Sequence, residues 1–557
     1  MEIIRKISKG LICIYPPSLL FILAVPIAVA MVPAFNPNTN SEYLIQQLKV
    51  LIFWLPLFSS IYLLAKNRAV LFCLSFPLII MGTIEILHIF LINTTLSEAS
   101  LFAIFDTNPG EALDYIDTSV SSKHYLIAAT YIVACVILIL KDKTARNTTF
   151  KMQMVAVGVL AAILLVVTYK GGQIAFFPVV EAGLLYSKEM EEYQSIIEQR
   201  KALLNNPEPL KGTKALIDDF EQTYVLIIGE STNRNHTSLY GYKRETTPVL
   251  DSEKSKLLVY QDVVSPFSQT LPTLQLALTA ANKENDKKYY NAFSLIDVAR
   301  AAGFNTYWIS NQAPTGGISI LGNTVDKSFF VNLTGDSYLA VRSVSRDEKI
   351  FPYFKKALEL PSKKKLIFVH LMGTHFTYNK RYPIQYDKYT SYSNEKEKVI
   401  NEYDNSVLYN DYIVSELISQ LEQYNATSPR NIAALVYLSD HGEEVYDSRD
   451  YAGHGQADVS RHHVEIPFLV WVSESFKQRN QGKYLQMKQN LGVPYITDDL
   501  FHSMLDLMSI SSPQLDTAHS IFSTDFVPKT RIVYGKDYDK ELKTTLLAHG
   551  KNLQSYP

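Results

Sequence analysis

Cysteine occurs only three times in 557 residues, at Cys13, Cys73 and Cys135, all inside long apolar runs. Residues 171–557 contain none, so a disulfide framework is excluded there, and so is a nucleophile made by oxidising cysteine to formylglycine. The compartment therefore has to be read from topology. An excess of charge is missing as well: 53 Lys and Arg stand against 55 Asp and Glu, a net charge of −2, which leaves no electrostatic footprint for nucleic acid. Long apolar runs are missing after residue 170 but crowd the chain before it. That asymmetry predicts a membrane domain, 1–170, followed by a globular one.

Five segments in the first part are apolar and long enough to cross a bilayer: 11–32, 48–65, 69–93, 124–140 and 152–169. The first follows Arg5, Lys6 and Lys9 like a signal peptide. Its length, its Pro16, Pro17 and Pro26, and the four spans behind it argue for a retained helix. Basic residues sit before the first segment, at Lys66 and Arg68, and at Lys141, Lys143, Arg146 and Lys151, while the alternate loops are poor in them. The N-terminus is then cytoplasmic, and five spans carry the rest of the chain outside, which in a bacterium means an inner-membrane protein with a periplasmic domain. The outer loop 101–116, LFAIFDTNPGEALDYI, is half apolar and acidic. Thr107 and Glu111 there are candidates to meet the ammonium or hydroxyl of a lipid headgroup, and the competing reading is a loop in which Asp106 or Thr107 caps a short helix.

Residues 171–212 read as linker helices, closed by the breaker NNPEPLKG at 205–212. From 213 to 557, strand patterns at 224–228, 305–310, 365–371, 433–438 and 466–472 alternate with helical patterns near 273–281, 293–302, 399–423 and 497–509. This alternation predicts a doubly wound α/β domain with a mainly parallel sheet. Such sheets do their chemistry at the carboxyl ends of the strands. Glu230 follows the first strand, His375 the third, and Asp440 with His441 the fourth. An adjacent Asp and His supply one oxygen and one nitrogen ligand, a donor set that suits zinc, and Glu230 at the end of another buried strand strengthens that reading. His370, inside its strand, reads as core; Arg234 to Thr237, with His236, reads as a solvated turn; His462 and His463 match no pattern.

GES at 229–231, SLYGY at 238–242, SDHGE at 439–443 and the later His454–Gly455, in this order behind five apolar segments, resemble the membrane-anchored phosphoethanolamine transferases of the alkaline phosphatase and sulfatase superfamily. These include the enzymes that modify lipopolysaccharide and confer polymyxin resistance. The resemblance implies a zinc ion held by Glu230, Thr270, Asp440 and His441. It makes Thr270, in VVSPFSQTLPTLQLALT at 263–279, the nucleophile, with Thr273 as the alternative. It gives His375 and His454 roles in contacting the donor phosphate, transferring protons or holding a second metal. Thr107 and Glu111 match positions that line the donor headgroup pocket, although an asparagine found one turn earlier in relatives is Ala103 here.

The implied reaction takes phosphoethanolamine from phosphatidylethanolamine onto the threonine and passes it to lipid A, a lipopolysaccharide core sugar or another glycan, the protein working as a monomer. Two alternatives stay open. One is a manganese-dependent phosphoglycerol transferase of the lipoteichoic acid type, and the other is a non-catalytic domain that binds a periplasmic partner or senses lipid.

Overall fold

The computed structural model describes residues 16–35, 41–65, 67–92, 96, 120–143 and 149–170, scattered positions between 180 and 205, and 208–543 apart from 286, 313–318, 333–344 and 456–458. The chain divides into two compact units, one helical and N-terminal, the other built on Tyr193–Pro557.

Among the described residues the first unit has five apolar helices: α1 (Pro17–Met31), α2 (Ser41–Ala65), α3 (Arg68–Ile92), α4 (Ser122–Lys141) and α5 (Phe150–Lys170). Among the described residues three stretches, in α2, α3 and α4, are long and apolar enough to cross a membrane; α1 and the apolar part of α5 are shorter. Pro26 inside α1 has no N–H, so the Ile22 carbonyl one turn back loses its helical partner. Tyr131 of α4 repairs this by donating its hydroxyl to Ile22 O at 2.8 Å. The same spot fixes Gly82 of α3, where a Cβ would lie 2.5 Å from the Tyr131 oxygen and 2.7 Å from Pro26. Thr107 and Glu111 lie outside the described residues.

The second unit is a seven-stranded sheet: β1 (Gln222–Gly229), β2 (Leu257–Tyr260), β3 (Asn305–Ser310), β4 (Lys327–Phe330), β5 (Lys364–His370), β6 (Ile432–Ser439) and β7 (Phe468–Val472), in the order β2–β7–β6–β1–β5–β3–β4. All five strands read from the sequence are present. β2 and β4 escape that reading because each has only four residues, too few to display a period. The sheet is mixed, since β7 runs antiparallel to both β6 and β2 while β6, β1, β5, β3 and β4 are parallel. The reason lies in the connection: among the described residues of 440–467 there is no α-helix to return the chain to the opposite edge, so the next strand starts from the carboxyl side and runs back.

β1 and β6 are buried at every position, as strands covered on both faces must be. Tyr224, Leu226 and Ile228 pack on one side in a cluster with Leu274, Ile296 and Met504, which lie on α6 (Thr270–Ala277), α7 (Leu295–Ala301) and α10 (Leu500–Leu507). Val225 and Ile227 pack on the other with Phe354 of α8 (Phe351–Glu359) and Ile413 and Leu417 of α9 (Glu395–Thr427). The register puts Ile228 opposite His370 and Gly229 opposite Ser439. The carboxyl ends of β1, β5 and β6 are therefore level, and whatever follows them meets in one place.

The segment expected as a solvated turn after β1 is buried instead. His236 is 2% exposed, with Nδ1 2.7 Å from Asp404 of α9 and Nε2 3.0 Å from Asp447, and Arg234 pairs with Glu465. Polarity misled because these groups are buried as matched ion pairs. Burial opposes the charge on His236, but hydrogen bonds from both ring nitrogens to Asp404 and Asp447 outweigh it and push its pKa from 6.5 up to about 9. A raised folded-state pKa stabilises fully below the unfolded value, near 6.5, and the contribution is lost as pH rises through about 9. The stability gap between the wild type and His236→Gln, measured by denaturant unfolding, should therefore widen by up to about 3 kcal/mol as pH falls from about 10 to 6.

Candidate metal centre

Glu230 leaves the end of β1 with its backbone tied on both sides. The Asp440 N–H donates to Gly229 O at 3.1 Å, and the Thr374 N–H and hydroxyl donate to Glu230 O at 3.0 and 2.9 Å. Gly373 makes the approach possible: it sits at φ +50°, and a Cβ there would stand 2.8 Å from the Glu230 backbone nitrogen and oxygen, neither of which can swing away. Ser231 is held at φ +57°, which turns its hydroxyl onto Glu230 Oε1 at 2.8 Å and its N–H onto Asp440 Oδ1 at 3.1 Å. Glu230 Oε2 accepts from Gln312 Nε2 at 3.2 Å and from the Thr270 hydroxyl at 3.1 Å.

Asp440 and His441 arrive from β6, beside it. Asp440 Oδ1 is satisfied by the N–H groups of Ser231 and His441, but Oδ2 is buried with no hydrogen-bond partner. His441 Nδ1 faces the Gly442 carbonyl at 2.8 Å. A carbonyl only accepts, so the proton belongs on Nδ1, and Nε2 points among the carboxylates 3.3 Å from Glu230 and 3.6 Å from Asp440, also without a hydrogen-bond partner. Ligand atoms of Glu230, Asp440 and His441 lie within 4.8 Å of one another in a buried site. Two orphaned buried atoms aimed at a shared point, from oxygen and imidazole donors, fit a divalent cation of the zinc type.

The electrostatics agree. Burial opposes ionisation of Glu230, yet the His441 imidazole 3.3 Å away, with the His375 and His454 rings, holds the carboxyl well below the usual range. Burial and the Glu230 charge push Asp440 up. Burial disfavours a charged His441, but Asp440 and Glu230 overcome it and drive the imidazole to about 10. Without a cation the site holds a proton on His441 in its place.

Thr270 opens α6 after an extended Gln269 that makes no side-chain cap, so the first N–H groups of the helix remain available to an anion beside the hydroxyl. Thr273, the sequence alternative, is fully buried and donates to Phe267 O at 3.3 Å, away from the centre. His454 Nδ1 donates to Glu443 Oε2 at 2.7 Å, and Glu443 Oε1 accepts from the Tyr378 hydroxyl at 2.6 Å. The His454 ring centroid is 4.4 Å from that of His441 and 6.4 Å from that of His375. The structure thus brings together Glu230, Thr270, Asp440, His441, His375 and His454. His441, Glu443 and His454 form a second group able to hold a metal. His370 is core, stacked edge-on against Trp308. His463 is buried and meets Gly453 O at 3.1 Å. Sequence reasoning missed Glu443, Gln312 and Ser231. Glu443 carried a signal, two residues past His441 in SDHGEE; Gln312 carried none.

The family model described as Sulfatase matches residues 222–510. The phosphoethanolamine transferase EptC of Escherichia coli is 31% identical over 476 residues, covering 80% of both chains, and CptA of Salmonella typhimurium is 30% identical over 487 residues, again 80% of both. Among solved structures, the zinc complex of the periplasmic domain of Escherichia coli EptC is 34% identical and superposes with a TM-score of 0.54 over 60% of this chain and 95% of that one. The integral membrane protein EptA of Neisseria meningitidis, at 19% identity, shares the fold with a TM-score of 0.63 over 90% of this chain and 96% of its own. With this site at the carboxyl edge of this sheet, and these relatives along most of its length, the chain belongs to the phosphoethanolamine transferases of the sulfatase family.

Proposed function

We propose that the protein moves phosphoethanolamine from phosphatidylethanolamine to a lipopolysaccharide, on lipid A or core, or to another surface glycan, through a covalent intermediate on Thr270. The observation that carries this reading is the Thr270 hydroxyl at the open start of α6, 3.1 Å from Glu230, beside the orphaned atoms of Asp440 and His441. Glu230, Asp440, His441 and Thr270 would hold zinc. That ion, when bound, stabilises charge on the threonine oxygen and the phosphoryl group.

The chain's own residues supply the rest. Glu230 Oε2 already accepts the Thr270 hydroxyl, so it is placed to take that proton as the oxygen attacks phosphorus in line. The Oγ–P bond forms while the bond from phosphorus to diacylglycerol oxygen breaks, and His454 protonates the departing alkoxide. Glu443, anchored by Tyr378, holds His454 in one tautomer and orientation. In the second half an acceptor hydroxyl gives its proton to His454, its oxygen takes the phosphorus, and the Oγ–P bond breaks as Glu230 returns its proton to the Thr270 oxygen. His375, its ring centroid 6.4 Å from that of His454, would contact the phosphoryl oxygens. Thr107 and Glu111 meet the donor ammonium.

All five apolar helices cross the inner membrane, with the N-terminus cytoplasmic and the catalytic unit periplasmic; the alternation of basic and basic-poor loops supports this. Residues 1–170, 171–212 and 213–557 are membrane domain, linker and catalytic domain.

Four outcomes follow. Thr270→Ala abolishes headgroup transfer in a lipid assay while the protein stays folded, and Thr273→Ala keeps it; the reverse pattern moves the nucleophile to Thr273. Asp440→Asn and His441→Ala each lose both bound zinc, counted by elemental analysis, and activity. In the wild type, zinc binding at neutral pH releases protons, mainly from His441, detectable by calorimetry in buffers of different ionisation enthalpy, and affinity falls as pH is lowered. Gly373→Ala, forced against the Glu230 backbone, lowers zinc affinity about 10-fold or more.

A further inference from the structure

The described chain continues past the sulfatase match into a hairpin in which Ile532–Val533 pairs antiparallel with Lys536–Asp537. Both turn residues lie in the left-handed region, Tyr534 at φ +47° and Gly535 at φ +77°. Asn or Asp before Gly is the usual choice for such a turn, and a tyrosine there holds a conformation that its side chain disfavours. The hairpin is also bolted down. Arg531, 1% exposed, pairs with Asp262 and Asp539, Lys543 pairs with the same Asp262 at 2.7 Å, and the Tyr538 hydroxyl donates to Glu465.

What this rigid turn presents is the Tyr534 side chain, and it lands on the segment that delivers Thr270. Its ring meets Phe267 edge-on with centroids 5.2 Å apart. Its hydroxyl donates to Gln269 Oε1 at 3.2 Å, accepts from the Ser268 N–H at 3.4 Å, and lies 3.2 Å from Ser268 Oγ. Ser268 Oγ in turn donates to Gly455 O at 2.9 Å, next to His454. One phenol therefore touches both residues that precede Thr270, and through Ser268 ties them to the segment carrying His454. Holding the Gln269 amide also keeps it off the first N–H groups of α6, which it does not cap.

We propose that Tyr534 is a positioning residue that sets Thr270 in register with His454 and keeps the start of α6 open to the phosphoryl group. This rests on the reading of Thr270 as the nucleophile. The role is carried by the hydroxyl, so it is separable from the packing of the ring.

The test is single-turnover release of diacylglycerol from a fluorescent phosphatidylethanolamine by the full-length, zinc-loaded protein. Tyr534→Phe keeps the ring against Phe267 and removes the hydroxyl. It slows the first step about 10-fold or more, with zinc content and melting temperature unchanged. Ser268→Ala slows it similarly, and the double variant is no slower than the worse single one, because both act through one link. Wild-type rates in Tyr534→Phe overturn the proposal, as do effects that multiply in the double variant. A rate loss that tracks lost zinc or lowered melting temperature also overturns it. Thr270→Ala run in parallel separates the two readings. If that variant retains activity the nucleophile assignment has failed; if it is inactive while Tyr534→Phe runs at full speed, only the positioning role has.

Discussion

Two buried carboxylates and an imidazole crowded within 4.8 Å are the constraint on which the catalytic unit turns. Bringing Glu230 and Asp440 together without water is unfavourable unless a positive charge joins them. In the isolated chain that charge is a proton on His441, and in the working protein we assign it to zinc. The level ends of β1, β5 and β6 fix where the charges meet, and the left-handed Ser231 and Gly373 fix how they are turned. The fold keeps this repulsion in place, and in the proposed reaction the cation that relieves it would also serve the phosphoryl group.

A second electrostatic node stabilises the loop behind this site. His236, Asp404 and Asp447 pin the segment after β1 to α9, and Tyr403 of α9 links to the same segment by donating to Ser231 O and accepting from the Asn233 N–H. The long helix therefore braces the segment that carries Glu230. On the opposite side the C-terminal hairpin plays the corresponding part for Thr270, reaching it through Phe267, Ser268 and Gln269. The proposed metal ligands and the proposed nucleophile are thus supported by separate parts of the chain.

How much of this was legible in the sequence depended on the range of the forces involved. Continuous apolar runs such as VLII at 225–228 and AALVYL at 433–438 announced the central strands, because strands buried on both faces leave no choice of residue. Glu230, Asp440 and His441 were legible because strand ends are fixed by those runs. The four-residue strands were too short to read, and the reversal of β7 depends on a connection without a helix, which local pattern does not reveal. Gln312 and Tyr534 were invisible for a further reason: they act across 82 and 265 residues of sequence, and a lone glutamine or tyrosine has no motif. His236 was misread because a polar segment looks solvated until its distant partners are known.

The account stands or falls on the covalent step. Zinc-loaded protein mixed with phosphatidylethanolamine in the absence of acceptor, quenched with acid and digested, should yield the peptide around VVSPFSQTLPTLQL with phosphoethanolamine on Thr270 by fragment-ion mass spectrometry. The group should disappear when a glycolipid acceptor is added. Phosphoethanolamine on any other residue, or a protein that releases diacylglycerol with Thr270 unmodified throughout, would contradict it.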